Sequence, residues 1–161
     1  MLWRAGLLSA ICAACSAAPA TPQALPAEVF EASQAERAIV GDIVVPDRVR
    51  RRIAKQYADD VDLLAIQMRG ARAQELSLEA ARLSDDALGE RAADASFLYV
   101  TCLLELEVDR KMPWGWASDM ADELGDIVLD TAERRSAGRQ YEQLRSGTVS
   151  EAPDVPPECK R

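Results

Sequence analysis

The densest apolar run beyond the N-terminus lies between Ala92 and Val108, and its apolar positions follow the period of a helix. One set recurs every three or four residues and marks a single helical face: Leu88, Ala92, Ala95, Tyr99, Cys102 and Leu106. A second set lies mostly off that face: Phe97, Val100, Leu103, Leu104 and Val108. The pattern predicts a central helix from about Asp85 to Lys111, covered on several sides, with Ser84 as its cap and Pro113 as its stop.

A second amphipathic pattern precedes it, from Asp47 to about Leu76. Its apolar positions again have helical spacing: Val49, Ile53, Tyr57, Val61, Leu64 and Met68. Gly70 lowers helix propensity, so a break near it is an open alternative. The residues from Ser77 to Leu83 are predicted to form a short helical link to the central helix.

A third pattern follows Pro113, where Ser118 is predicted to cap a helix. The inner face of that helix comprises Met120, Leu124, Ile127, Val128 and Thr131. The helix either continues through Gly138 or breaks there. Residues 147–161 are rich in Ser, Pro and Gly and are predicted to form an irregular tail.

The stretch before the second pattern, residues 21–46, has no clear period and is interpreted as a tether and an extended arm. Ala27 to Arg37 is a candidate short helix, and Ala38 to Val45 is β-branched and predicted to be extended. With residues 47–146 as the folded part, the fold class predicted is all-α: a small bundle of three to four main helices.

Residues 1–20 have the pattern of an export signal, with Arg4 ahead of a short apolar segment. Two processing routes fit. The first is lipidation at Cys15, which ends a lipobox-like cluster with Cys12 where Leu is usual; the second is cleavage after Ala20. Both predict export to a bacterial periplasm, the first with a lipid anchor and the second as a soluble secreted protein.

Two cysteines remain outside that signal, Cys102 and Cys159. A pair of cysteines in an oxidising compartment predicts one disulfide, here between the central helix and the tail. The alternative is a buried free thiol at Cys102 and an unpaired Cys159.

The charge and composition exclude several classes of function. The chain of 161 residues has a net charge of −8 and no histidine. Nucleic-acid binding depends on neutralising phosphates with cations, so it is not expected. The absence of histidine removes the usual catalytic triads and imidazole metal sites. We expect no metal, no cofactor and no membrane contact beyond the lipid anchor.

A run of cations stands at the start of the second pattern: Arg48, Arg50, Arg51, Arg52 and Lys55. The positive end of a helix disfavours cations, so something must compensate them. The candidates are an acidic partner, lipid headgroups, or acids of the same chain such as Glu28, Glu31 and Asp42. Arg48, Arg51 and Arg52 are therefore candidate partner-binding residues.

The third pattern carries an acidic stripe and two tryptophans. The stripe comprises Asp119, Asp122, Glu123, Asp126, Asp130 and Glu133, at spacings that favour either a solvated face or docking to a basic partner. Trp114 and Trp116 flank Gly115 and are either core plugs or interface anchors.

Glu105 and Glu107 interrupt the central run, which is therefore no membrane span. A carboxylate among apolar groups is the general acid of many glycosidases, so a carboxylate-dependent cell-wall hydrolase is one hypothesis. Solvent-facing charges are the simpler interpretation. No phosphate loop, zinc spacing or nucleophile elbow occurs.

The layout is similar to that of small periplasmic helical adaptors, such as secretion-system pilotins and toxin-immunity proteins. The resemblance is one of layout, with no motif that transfers residue roles. The leading hypothesis is a non-enzymatic accessory protein of the cell envelope that binds a protein partner; the sequence leaves its oligomeric state open.

Overall fold

The computed structural model describes residues 27–148 and Cys159, and every regular element within them is helical. A 3-10 turn at Ala27–Phe30 precedes six helices: α1 Gln34–Val40, α2 Asp47–Gln56, α3 Val61–Leu83, α4 Asp86–Asp109, α5 Trp116–Val128 and α6 Ala132–Leu144. The all-α prediction is confirmed, with six helices in place of three or four. Within the described ranges, no helix combines the length and apolarity that a membrane crossing requires.

Helix α3 occupies the centre and packs against the 3-10 turn and all five other helices. The prediction that the segment Ala92–Val108 is the central helix is therefore wrong. Hydrophobicity alone undervalues α3, because it buries the polar side chains of Gln67, Arg72 and Glu75. Each of these has a hydrogen-bonding partner on another element, which removes most of the cost of burying it.

The second predicted helix is two helices, and they separate between Tyr57 and Asp60 rather than near Gly70. The Asp60 carboxylate accepts a hydrogen bond from the Leu63 amide at 3.1 Å and so caps α3. Gly70 lies inside α3, where Leu124 and Tyr99 pack so close to the helix backbone that a side chain would clash with them. The expected link from Ser77 to Leu83 is the last part of α3 itself.

The boundaries of α4 are close to those predicted, but its cap is Asp85, whose carboxylate accepts from the Leu88 amide at 3.0 Å. Ser84 instead ends α3 in a left-handed conformation with φ of 52°. Helix α5 begins at Trp116, two residues before the predicted cap.

Helix α5 ends at Val128. Helix α6 starts after Thr131, whose hydroxyl caps it by accepting a hydrogen bond from the Arg134 amide at 3.2 Å. Helix α6 then passes through Gly138 without interruption. The predicted inner face is therefore divided: Leu124, Ile127 and Val128 are buried on α5, whereas Thr131 caps the next helix.

The arm predicted at residues 38–45 is only partly extended, because α1 continues to Val40. The Ser33 hydroxyl caps α1 by accepting a hydrogen bond from the Glu36 amide at 3.1 Å. The prediction of an extended segment followed the β-branched residues and did not take this cap into account. Gly41, with φ of 64°, ends the helix. Since α1 packs against α3 and α4, the helical body includes residues that the sequence assigned to a tether and arm.

The predicted disulfide joins Cys102 of α4 to Cys159, with Cα atoms 5.1 Å apart across 57 positions of sequence. It fastens the end of the chain to the buried side of α4. The export signal, Cys15, Ala20 and the rest of the predicted tail from residue 149 lie outside the described residues.

Candidate functional site

Helix α4 has one face that no other described element covers. Four large apolar residues spaced by 3, 4 and 4 positions lie on it and are 41–74% exposed: Phe97, Val100, Leu104 and Val108. We call this set the α4 stripe. The opposite face is buried against α1, α3 and α5 and includes Ala95, Tyr99 and Cys102. The sequence placed the stripe under neighbouring helices, and the structure corrects this because α3 takes the central position.

Acidic residues border the α4 stripe. Glu105 lies three residues before Val108 and so neighbours it on the helix surface, and Asp109 follows one turn after Glu105. The sequence contains no lysine or arginine from residue 92 to residue 109. One long edge of the stripe is therefore negatively charged.

A cavity of about 320 Å³ opens beside that edge, between α4, α3 and the segment that leads into α1. Glu105 and Asp109 line it from α4, and Asp62, Arg69 and Arg72 line it from α3. Its remaining described lining comprises Val29, Glu31, Ser33, Glu36, Ala65, Ile66, Cys102, Leu106 and Cys159. The volume is at the lower end of the range for ligand pockets.

The floor of this cavity is held by a buried ion pair. Arg72 donates two hydrogen bonds to the Glu36 carboxylate, at 2.5 and 3.0 Å, and Arg69 lies 3.6 Å from the same group. Arg69 also donates to the Cys102 sulfur at 2.8 Å. Both arginines are thus engaged by Glu36. At the rim, Asp62 pairs with Arg110 and Glu31 with Arg37, so the negative charge of the cavity lies mainly on Glu105 and Asp109.

The two predicted tryptophans have different environments. Trp116 packs on the core at the start of α5, as a plug of the bundle end. Trp114 is 98% exposed and is a candidate interface anchor. Trp116 is therefore a core residue, whereas the interface role of Trp114 stays a prediction.

The predicted acidic stripe is split between elements. Asp119, Asp122 and Asp126 are exposed on α5. Glu123 accepts a hydrogen bond from the Tyr57 hydroxyl at 2.9 Å, and the pKa of Tyr57 is raised by burial and further by this carboxylate. Asp130 lies beyond the end of α5, and Glu133 belongs to α6.

The basic run is compensated mainly within the chain, by acids other than those predicted. Arg48 and Arg52 approach the Asp130 carboxylate at 3.2 and 3.7 Å. Arg52 also donates to the Ile127 carbonyl at 3.4 Å, at the negative end of α5. Arg50 pairs with Asp47 at 3.5 Å. Arg48 and Arg52 thus link α2 to the end of α5, the Arg50 pair lies within α2, and Arg51 is exposed.

Glu107 is buried, which corrects the expectation of a solvent-facing charge. Its carboxylate accepts a hydrogen bond from the Ala117 amide at 2.7 Å. The Gly115 position before α5 offers no side chain to cap that helix, so a carboxylate from α4 does so. Glu107 is thus a structural residue, and Glu105 alone of the two lines the cavity.

Among the described residues, no group of three or more cysteines or carboxylates has the arrangement that could hold a metal ion. Comparisons with protein-family models, curated proteins and solved structures find no match to this chain. In the part of the chain that the structure describes, the features that bear on function are the α4 stripe, Trp114 and the acid-lined cavity.

Proposed function

We propose that this chain is a non-enzymatic accessory protein of the bacterial envelope that binds a protein partner through the α4 stripe. The observation that carries the proposal is the stripe itself. Four large apolar side chains on one exposed helical face are the pattern by which a helix packs on another helix. With roughly 300 Å² of apolar surface, the stripe has the size of patches that are often functional on monomers.

The envelope location rests on the export pattern of residues 1–20 and on the disulfide. Disulfides persist in oxidising compartments, and the one between Cys102 and Cys159 suits a periplasmic protein. Mass spectrometry of the mature N-terminus separates the two routes, since lipidation starts the chain at Cys15 and ordinary cleavage starts it at Thr21. A chain that retains Met1 in the cytosol would contradict export.

Affinity capture from the envelope fraction tests partner binding. The wild-type protein, Leu104→Ser on the stripe and Asp122→Asn on α5 serve as three matched baits. We expect one protein to be retained by the wild type and by Asp122→Asn, and to be lost with Leu104→Ser. The captured protein is then purified and must rebind the wild type directly. Equal retention by all three baits would contradict the proposal.

The cell-wall hydrolase is the second candidate, and one observation favours it. Glu105 lines a cavity together with Asp62 and Asp109, so more than one carboxylate faces the same space. The described lining includes no aromatic side chain that would stack on a sugar ring. Release of peptidoglycan fragments by the wild type, and its loss with Glu105→Gln, would establish the hydrolase in place of the adaptor.

A further inference from the structure

The α4 stripe and the acid-lined cavity share one border. Val108 belongs to the stripe, and Glu105, three residues before it, lies to its side on the helix surface while also lining the cavity. Asp109, one turn later, lines the same cavity. A segment lying along the stripe would therefore have one edge beside Glu105, on the side of α4 that leads to Asp109 and the cavity.

The length of the stripe sets the length of the segment that covers it. Phe97 and Val108 are eleven residues apart, which is about 16 Å along the helix axis. A partner helix of about three to four turns covers this distance. Its apolar side must contribute residues every three or four positions to pack between those of the stripe.

The negative charge of the protein distinguishes between the possible binding partners of the α4 stripe. A second copy of the chain would bring together two net charges of −8 and two acidic edges, which is unfavourable. An anionic lipid surface is repelled for the same reason. A helix with lysine or arginine along one edge instead places cations next to Glu105, with Asp109 one turn further along the same side of α4.

We propose that the partner segment is a basic amphipathic helix, which lies along the α4 stripe with its cationic edge over Glu105 and Asp109. The inference depends on the proposed function and specifies the chemistry of its partner. Leucine-like residues of the segment fill the spaces between Phe97, Val100 and Leu104. Its lysine or arginine side chains reach the cavity mouth.

Three synthetic helical peptides of 15 residues test this with the purified, oxidised protein. They share one leucine face and differ only along one edge, which carries lysine, glutamine or glutamate. Fluorescence anisotropy of labelled peptides measures each affinity at low and physiological salt. The protein variants are Leu104→Ser, Glu105→Gln and Asp122→Asn, the last two having the same net charge. Circular dichroism confirms that each variant is folded.

We expect the lysine peptide to bind at least tenfold more tightly than the glutamate peptide. Leu104→Ser should weaken the lysine peptide at least tenfold, because it removes a leucine side chain from the buried contact. Glu105→Gln should weaken it about threefold to fivefold, leave the glutamine peptide unchanged, and exceed the effect of Asp122→Asn, which should stay within twofold.

Several outcomes would overturn the inference. Equal losses with Glu105→Gln and Asp122→Asn would show general attraction between an acidic protein and a cationic peptide. Wild-type dimers that Leu104→Ser dissociates would assign the stripe to a second copy. If no peptide binds while Leu104→Ser still abolishes envelope capture, the basic helix is wrong and the proposed function stands. If that capture is also unaffected, both are wrong.

Discussion

Gly70 gives the sharpest test of the packing at the centre of the bundle. It lies in the middle of α3, where a Cβ atom would meet three atoms at very short distances. These are Leu124 Cδ2 at 2.5 Å, Tyr99 Cε2 at 2.6 Å and Tyr99 Cζ at 2.7 Å. Replacing Gly70 with alanine adds only one methyl group, so the perturbation is confined to that space and to the backbone propensity of one residue.

Two effects of opposite sign determine the magnitude. In an open helix, glycine to alanine stabilises by about 1 kcal/mol, through helix propensity and the entropy of the unfolded chain. Overpacking a close-packed core costs about 1–3 kcal/mol. Leu124 is fully buried, and the Tyr99 hydroxyl donates to Gln67 at 2.9 Å, so neither side chain moves easily. The cost is then near its upper end, and Gly70→Ala should destabilise by about 2 kcal/mol.

Gly125 supplies the matched control. It lies inside α5, and a Cβ atom there meets nothing within 4 Å. Gly125→Ala should therefore stabilise by about 0.5–1 kcal/mol. Urea unfolding followed by circular dichroism measures both changes in the free energy of unfolding. The dependence of that free energy on urea concentration should be the same for both variants and the wild type. A Gly70→Ala variant as stable as the wild type would refute the close approach of α3, α4 and α5.

Three further predictions concern the disulfide, the cap of α5 and an ion pair at the start of α3. Cys159→Ser should lower the free energy of unfolding by about 4 kcal/mol, as expected for a closed loop of 57 residues, and added dithiothreitol should then have no further effect on thermal unfolding. Glu107→Ala should cost about 1–2 kcal/mol and speed hydrogen exchange of the Ala117 amide, whereas Glu107→Gln keeps an acceptor and should lose less. The Arg110 guanidinium holds the pKa of Asp60 below its usual range, so this contribution to stability is complete above about pH 4 and is lost on further acidification. The stability difference between wild type and Asp60→Asn should shrink as the pH falls below about 4; a difference independent of pH would refute the assignment.

The helical class and most apolar faces could be predicted from the sequence because periodicity reports directly on which residues are buried. Helix α4 is the best example: Asp85 and Pro113 bracket it, and its ends differ from the prediction by one or two residues. The disulfide could also be predicted from the sequence, since two cysteines remain once the export signal is set aside.

Which helix lies at the centre of the bundle could not be predicted from periodicity in the same way. Helix α3 is central although it buries Gln67, Arg72 and Glu75, and their partners Tyr99, Glu36 and Arg134 lie on other elements. A hydropathy pattern counts such residues as surface. One feature of α3 that fits its central place is Gly70, where Leu124 and Tyr99 approach the helix backbone closely.

The candidate site was missed for the same reason. The α4 stripe was recognised as apolar but was assigned to the interior, because periodicity cannot say which of two apolar faces is covered. The sequence pairs Glu105 with Glu107 as candidate catalytic carboxylates, whereas the fold brings Glu105 together with Asp62 and Asp109 and buries Glu107 elsewhere. The acids of α5, by contrast, were correctly placed on an exposed face at Asp119, Asp122 and Asp126.

Site-specific photo-crosslinking in intact cells tests the central claim, that the α4 stripe is a docking surface. A photoreactive amino acid replaces Leu104 on the stripe, Arg51 on α2 or Asp126 on α5, each an exposed position. We expect an adduct with one envelope protein from Leu104 alone, mapping by mass spectrometry to an amphipathic helix with a basic edge. Adducts of equal yield from all three positions, or an adduct from Asp126 and none from Leu104, would contradict it.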